Sequence, residues 1–193
     1  LDSILPEKIY KVSDNIICSV AGVTSDATTL INQMRIMSER HFYKFQEGIT
    51  VEQLVTSICN TKQQYTQVGG YRPFGVSLLY AGWDCQEGFQ LFQSDPSGNY
   101  SGWKSTCIGK NHEEGVSLLK TDYIDNMDFN QVTKLLANVL NKTVDKKPMS
   151  SENIEVGYIT LENQQVKYHL MNSQEIDEIL KTVTPSTPSQ IHP

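Results

Sequence analysis

No two cysteines in this chain stand at the CxxC spacing of a zinc site or redox motif, and no HExxH run or paired histidine spacing offers a seat for a metal. Cys18, Cys59, Cys85 and Cys107 are scattered singly, as are His41, His112, His169 and His192. The cysteines read as reduced, mostly buried thiols rather than a disulfide framework. No metal and no cofactor are expected. No apolar run approaches the ~20 residues that a membrane helix needs, and no basic-then-apolar opening marks a signal peptide, so a soluble chain without a membrane partner is expected. Basic residues are in deficit: 16 Lys and Arg against 22 Asp and Glu leave a net charge of −6. That balance argues against nucleic acid or an anionic membrane as the main partner. The glycosylation-like triplets Asn99-Tyr100-Ser101 and Asn141-Lys142-Thr143 are then accidental.

What the chain does have is patterned apolar sequence. Its 193 residues, 38% hydrophobic and 20% charged, suffice for one globular domain with its own core. Glu7 to Ser13 and Ile16 to Val23 predict strands joined by Asp14-Asn15. Ser25 is the expected cap of a long helix, with Asp26 in its first turn and Ala27, Leu30, Ile31, Met34, Met37 and Phe45 on one face. Thr50 and Gln53 form the capping box of a second helix carrying Val51, Leu54, Val55, Ile58 and Tyr65, closed by Gly69-Gly70. Phe74 to Ala81 is nearly all apolar, as expected of a strand covered on both faces.

Phe89 to Gln93 and Gly102 to Ile108 flank Asp95-Pro96-Ser97-Gly98, whose proline and glycine fit a type I turn. Asn111 with Glu114, and Asp128 with Gln131, predict two helix caps, the latter leading Val132, Leu135, Leu136, Val139 and Leu140. Ile154 to Leu161 and Val166 to Met171 alternate as a hairpin, and Ser173 opens a last helix. The order ββααβββααββα predicts an α+β four-layer αββα sandwich, with some other α+β domain as its rival. The domain is expected over residues 1–183, and the Ser/Pro-rich stretch 184–193 is expected to be a tail.

The segments YTQVGGYRPFGVSLLYAGWD (65–84), FQSDPSGNYSGWKSTCIG (92–109) and SVAGVTSDA (19–27) resemble the alpha subunits of the 20S proteasome, closest in wording to the eukaryotic type 4 branch. The resemblance covers nearly the whole chain. It implies an N-terminal-nucleophile hydrolase fold, here without the family's N-terminal helix and first strand hairpin. It also implies a non-catalytic, architectural role in a heptameric ring that supports assembly, gated substrate entry and docking of regulatory particles in ubiquitin-dependent protein degradation. The implied partners are neighbouring alpha subunits, beta-ring subunits and the C-terminal tails of activators, and the implied location is cytoplasm and nucleus. Active relatives use an N-terminal threonine, with its own amine as base. Residue 1 here is leucine, and Lys110-Asn111-His112-Glu113 stands where they carry a glycine-serine signature. The alternative is an active beta-type hydrolase whose threonine lies outside this sequence.

Lys8 is the candidate functional residue, because Glu7-Lys8-Ile9 matches the motif whose lysine lines the pocket between neighbouring alpha subunits. An ammonium there can pair with the terminal carboxylate of an inserted activator tail. By composition alone it is an exposed strand lysine. Arg72 can pair with a neighbouring chain or fix its own loop, and the loop role is expected. Trp83 and Trp103 are assigned to packing, and Asp95, Asp122 and Asp128 to turn, helix and cap. The resemblance implies that the polar faces of the helix from Asp26 to Gln46 contact other subunits; by composition alone they are solvated faces.

A chain starting at Leu1 lacks strands that the resemblance places inside a sheet, which leaves backbone groups unpaired and apolar faces uncovered. On its own it is expected to be unstable or aggregated; a cooperative thermal transition from a soluble monomer contradicts this.

Overall fold

The structure, a computed structural model, describes residues 8–144 and 149–182. In chain order these form β1 (Ile9–Lys11), β2 (Ile16–Gly22), α1 (Thr24–Phe45), α2 (Val51–Gln67), β3 (Val76–Asp84), β4 (Gly88–Ser94), β5 (Tyr100–Gly102), α3 (His112–Asp122), α4 (Phe129–Thr143), β6 (Gly157–Glu162), β7 (Gln165–Leu170) and α5 (Ser173–Lys181). The order is the one predicted, and the α+β class with antiparallel sheets is consistent with a sandwich. The expected tail lies outside the described residues. Two compact units result. One takes in the described residues up to Gly109 together with Glu155–Leu170, and the other takes in Lys110–Ile154 with the described residues from Met171.

The first unit is built on an antiparallel sheet in the order β1-β2-β3-β4-β5. Its central strand departs from expectation. Rather than being covered on both faces, β3 alternates: Val76, Leu78, Tyr80 and Asp84 are buried, while Ser77, Leu79, Ala81 and Trp83 are only half-buried. Both α1 and α2 pack on the Val76/Leu78/Tyr80 face, and Leu30, Ile31, Met34, Leu54, Val55 and Ile58 close over it in one core. An apolar residue on the other face of a strand is thus not evidence that the face is sealed.

Helix starts and turns differ in detail from the sequence reading. Val23, not Ser25, is the N-cap of α1, and it makes no side-chain cap bond. Buried residues of α1 run from Asp26 to Ser38, so Phe45, expected on that face, is 52% exposed beyond them. Thr50 does cap α2, its hydroxyl accepting from the Gln53 N–H at 3.3 Å. The first hairpin turns through Val12 to Asn15 rather than Asp14-Asn15 alone, with the Val12 N–H bonded to the Ile16 carbonyl at 3.0 Å. Asn15 then reaches out of that turn, and its amide donates to the carbonyls of Ile49 and Trp83, each at 3.0 Å.

The turn at Asp95 forms as predicted, with the Gly98 N–H on the Asp95 carbonyl at 3.2 Å. Gly98 has φ +89°, and a Cβ there would lie 2.8 Å from the Gln63 nitrogen, so glycine lets this turn rest against α2. Strand β5 is Tyr100–Gly102, so it ends where the expected strand from Gly102 to Ile108 begins, and residues 103–108 are not strand. The β6–β7 hairpin turns on Asn163 and Gln164, both at positive φ, as the right-handed twist of a two-residue loop favours.

In the second unit, α4 has the expected capping box between Asp128 and Gln131 and buries Leu135 and Val139, while Leu136 and Leu140 stay exposed. Asn111 does not cap α3 through its side chain. It sits at φ 58°, and its amide donates instead to the Thr143 carbonyl at 2.8 Å, tying α3 to the end of α4. For α5 the cap is Asn172, not Ser173, paired reciprocally with Glu175.

Ile58→Ala in the assembled protein is expected to cost about 2–5 kcal/mol, because the residue is fully buried. Gln64→Ala, exposed on the same helix, is expected to stay within about 0.5 kcal/mol. Urea unfolding monitored by tryptophan emission separates the two; equal costs would refute the placement of the core.

Candidate functional site

Lys8 stands just before β1, where the ladder begins with Ile9 opposite Ser19. Its carbonyl accepts the Val20 N–H at 3.1 Å, which ties it to β2. Its own N–H donates to Glu155 Oε2 at 2.9 Å, and the Ile9 N–H donates to the same oxygen at 3.2 Å. The backbone is thus held on both sides while the residue itself is exposed. An ammonium carried on a fixed, exposed strand start can meet an anion arriving from outside the chain.

The other charged groups singled out in the sequence act within the fold. Arg72 fixes its own loop: Nη1 lies 2.7 Å from Asp26 Oδ2, and Nη2 lies 2.9 Å from Asp26 Oδ1. Asp26 also accepts the Gly75 N–H at 2.9 Å. The Arg72 hydrogen bonds and then the Gly75 N–H lower its pKa from 3.8 to about 2. Gly22 completes this junction, since a Cβ at its φ of +133° would drive into the Gly75 carbonyl. Asp84 holds the start of α2, accepting from the Val51 N–H at 3.2 Å and from Gln86, Glu87 and Gln90. Burial alone would raise its pKa, but these donors outweigh it and lower the value.

Lys62 escaped the sequence reading. It is fully buried on the apolar stripe of α2, one turn beyond Ile58, and its ammonium donates to the Val76 carbonyl at 3.1 Å and to Ser94 Oγ at 2.9 Å. The Tyr80 hydroxyl joins Ser94 Oγ at 2.9 Å. Burial lowers the Lys62 pKa from 10.5 to about 8 and raises that of the neighbouring Cys18 thiol. The group resembles a catalytic cluster in composition, yet Lys62, Tyr80 and Ser94 are at most 1% exposed, so no substrate reaches them. Its helical spacing with Ile58 was the signal that could have marked it as core.

The remaining residues are dispersed. Trp83 is half-buried as expected of packing, but Trp103 is 42% exposed. Cys18 and Cys59 are buried free thiols, whereas Cys85 is exposed. His41 lies against the Phe45 ring at 4.6 Å, and His169 stacks on Tyr158 at 4.8 Å. Asp95 bonds its own turn through the Ser97 N–H at 2.8 Å, Asp122 ends α3, and Asp128 caps α4. Among the described residues no group of three acidic, histidine or cysteine side chains could hold a metal ion.

A family model described as "Proteasome subunit" matches residues 3–159. Proteasome subunit alpha type-4 of Dictyostelium discoideum is 48% identical over 178 residues, 92% of this chain and 71% of that protein. The Petunia hybrida protein of the same name is 48% identical over 174 residues, covering 90% and 70% respectively. That of Drosophila melanogaster is 42% identical over 189 residues, covering 95% and 72%.

The lowered pKa of Asp26 means that its contribution to stability is fully present above about pH 4 and is lost as pH falls toward 2. Asp26→Asn is therefore expected to melt below the native protein at pH 7, with the gap closing as pH falls through that window. Thermal melts across pH check this; a constant gap would count against the Arg72–Asp26 clamp.

Proposed function

The chain belongs to the proteasome subunit family, and from that premise we propose that it serves as an alpha-type subunit, a non-catalytic building block of the 20S alpha ring. With the family comes the N-terminal-nucleophile type of α+β sandwich and assembly with other proteasome subunits. The relatives it resembles over most of its length are named as alpha type-4 subunits, which speaks against the beta-type hydrolase. In this reading the chain contributes shape and surface rather than a nucleophile. The ring it helps to build supports the beta ring and narrows substrate entry, in the cytoplasm and nucleus.

Two surfaces serve partners. The last turn of α1 exposes Phe42 at 52%, Tyr43 at 86% and Phe45 at 52%. The polar faces of this helix are one contact surface, but exposed apolar side chains grouped at one helix end are the better candidates for contact with neighbouring subunits. Ring closure needs such heterologous contacts, with area and shape doing more than single surface ion pairs. The second surface is Lys8. Its docking role rests on one observation, an exposed lysine whose backbone is bonded on both sides. A regulatory-particle tail arriving in the pocket between this subunit and its neighbour presents a terminal carboxylate to that ammonium.

Lys8→Ala is expected to weaken activator-stimulated peptide hydrolysis by the assembled particle while leaving assembly and unstimulated hydrolysis intact. A charge-assisted bond contributes about 1.5–3 kcal/mol, so tail affinity at this pocket should fall roughly tenfold or more. Unchanged tail binding and stimulation would exclude the role.

A further inference from the structure

We infer that Glu155 is a positioning residue for Lys8, setting the place from which the lysine meets a carboxylate ligand; the inference rests on the docking reading of Lys8. The two residues are 147 positions apart in sequence, yet Glu155 Oε2 takes both the Lys8 N–H at 2.9 Å and the Ile9 N–H at 3.2 Å. Among the described residues, strand β1 is three residues long and lies at the edge of the sheet, so its ladder alone holds it weakly. A carboxyl oxygen accepting two consecutive backbone N–H groups is a stronger anchor than a single such bond would be.

The approach is built into the neighbouring sequence. Gly157 opens β6, and a Cβ at that position would stand 3.2 Å from Ile9 Cγ2. Glycine there brings the segment carrying Glu155 close to β1. Glu155 is half-buried and its bond to the Ile9 N–H is partly screened from water, whereas its bond to the Lys8 N–H and Lys8 itself are exposed. The carboxylate therefore bonds the main chain of Lys8 and leaves the ligand contact to the side chain.

The physical consequence is preorganisation. A lysine on a fixed strand start loses only side-chain freedom when it pairs with a ligand, whereas one on a fraying start must also order its backbone. Ordering of that kind corresponds to roughly two- to tenfold in affinity. It should appear in carboxylate recognition and not in contacts that a tail makes elsewhere in the pocket.

The experiment uses assembled particles carrying native, Lys8→Ala, Glu155→Ala or Glu155→Gln subunits. The probes are synthetic peptides of the C-terminal sequences of the co-purifying regulatory particle, made as the free acid and as the amide, with binding read by fluorescence polarisation. In native particles the acid binds more tightly than the amide, and Lys8→Ala abolishes that ratio. Glu155→Ala lowers the ratio roughly two- to tenfold with the affinity of the amide unchanged. Glu155→Gln, whose amide oxygen still accepts both N–H groups, keeps most of the ratio, and this holds as a test even where the alanine particle fails to assemble. If Lys8→Ala leaves the ratio intact, the docking reading itself falls and this inference with it. If Lys8→Ala abolishes the ratio but Glu155→Ala does not change it, or lowers acid and amide binding alike, the positioning role alone is overturned. Loss of the ratio in Glu155→Gln equal to that in Glu155→Ala also overturns it.

Discussion

Burial of one face of the five-stranded sheet beneath α1 and α2 is the constraint on which the rest of the first unit depends. Val76, Leu78 and Tyr80 of β3, with Ile16, Cys18 and Val20 of β2, meet Leu30, Ile31 and Met34 from α1 and Leu54, Val55 and Ile58 from α2. Each aliphatic side chain sealed there contributes about 1.5–3 kcal/mol relative to its exposed state. That burial fixes where polar groups must be satisfied. Lys62 enters the same layer and costs free energy unless the Val76 carbonyl and Ser94 Oγ answer it, the latter also bonded to the Tyr80 hydroxyl. Asp84 and Asp26 then secure the starts of α2 and α1, so both helices are tied to the sheet at their N-termini by carboxylates.

A rigid scaffold of this kind separates structure from partner-facing chemistry. The groups with the most perturbed titration are inside or in loop clamps: Lys62, Cys18 and Tyr80 under α2, and Asp26 beneath Arg72. They perform internal bonding. The proposed contacts lie at the margins, at the start of the edge strand and at the far end of α1. This division is what a ring subunit needs, because partners then act on a surface whose geometry the core has already set.

The order of elements could be read in the sequence because period and punctuation agree along it. The stripe Val51, Leu54, Val55, Ile58, the Asp95-Pro96-Ser97-Gly98 turn and the Asp128/Gln131 box each carry their structure locally. What could not be read depends on contacts distant in sequence. Nothing near Phe74 says that both helices choose one face of β3, which is why two-sided cover was expected. Asn111 was read as a cap because local chemistry favours it, yet the Thr143 carbonyl, 32 residues away, takes its amide. Phe45 follows the helical period of α1 but stands beyond the part that overlies the core. At the candidate site Lys8 was legible only through its motif. Glu155 gave no local signal at all, since its partners are brought to it by the fold.

In the reading proposed above, this chain functions as one subunit of a larger ring rather than by itself. Native mass spectrometry of the protein purified from its source tests it most directly. The chain should be recovered in a hetero-oligomeric particle containing other subunits of its family. Recovery as a free monomer, or in assemblies built only from copies of itself, would contradict it.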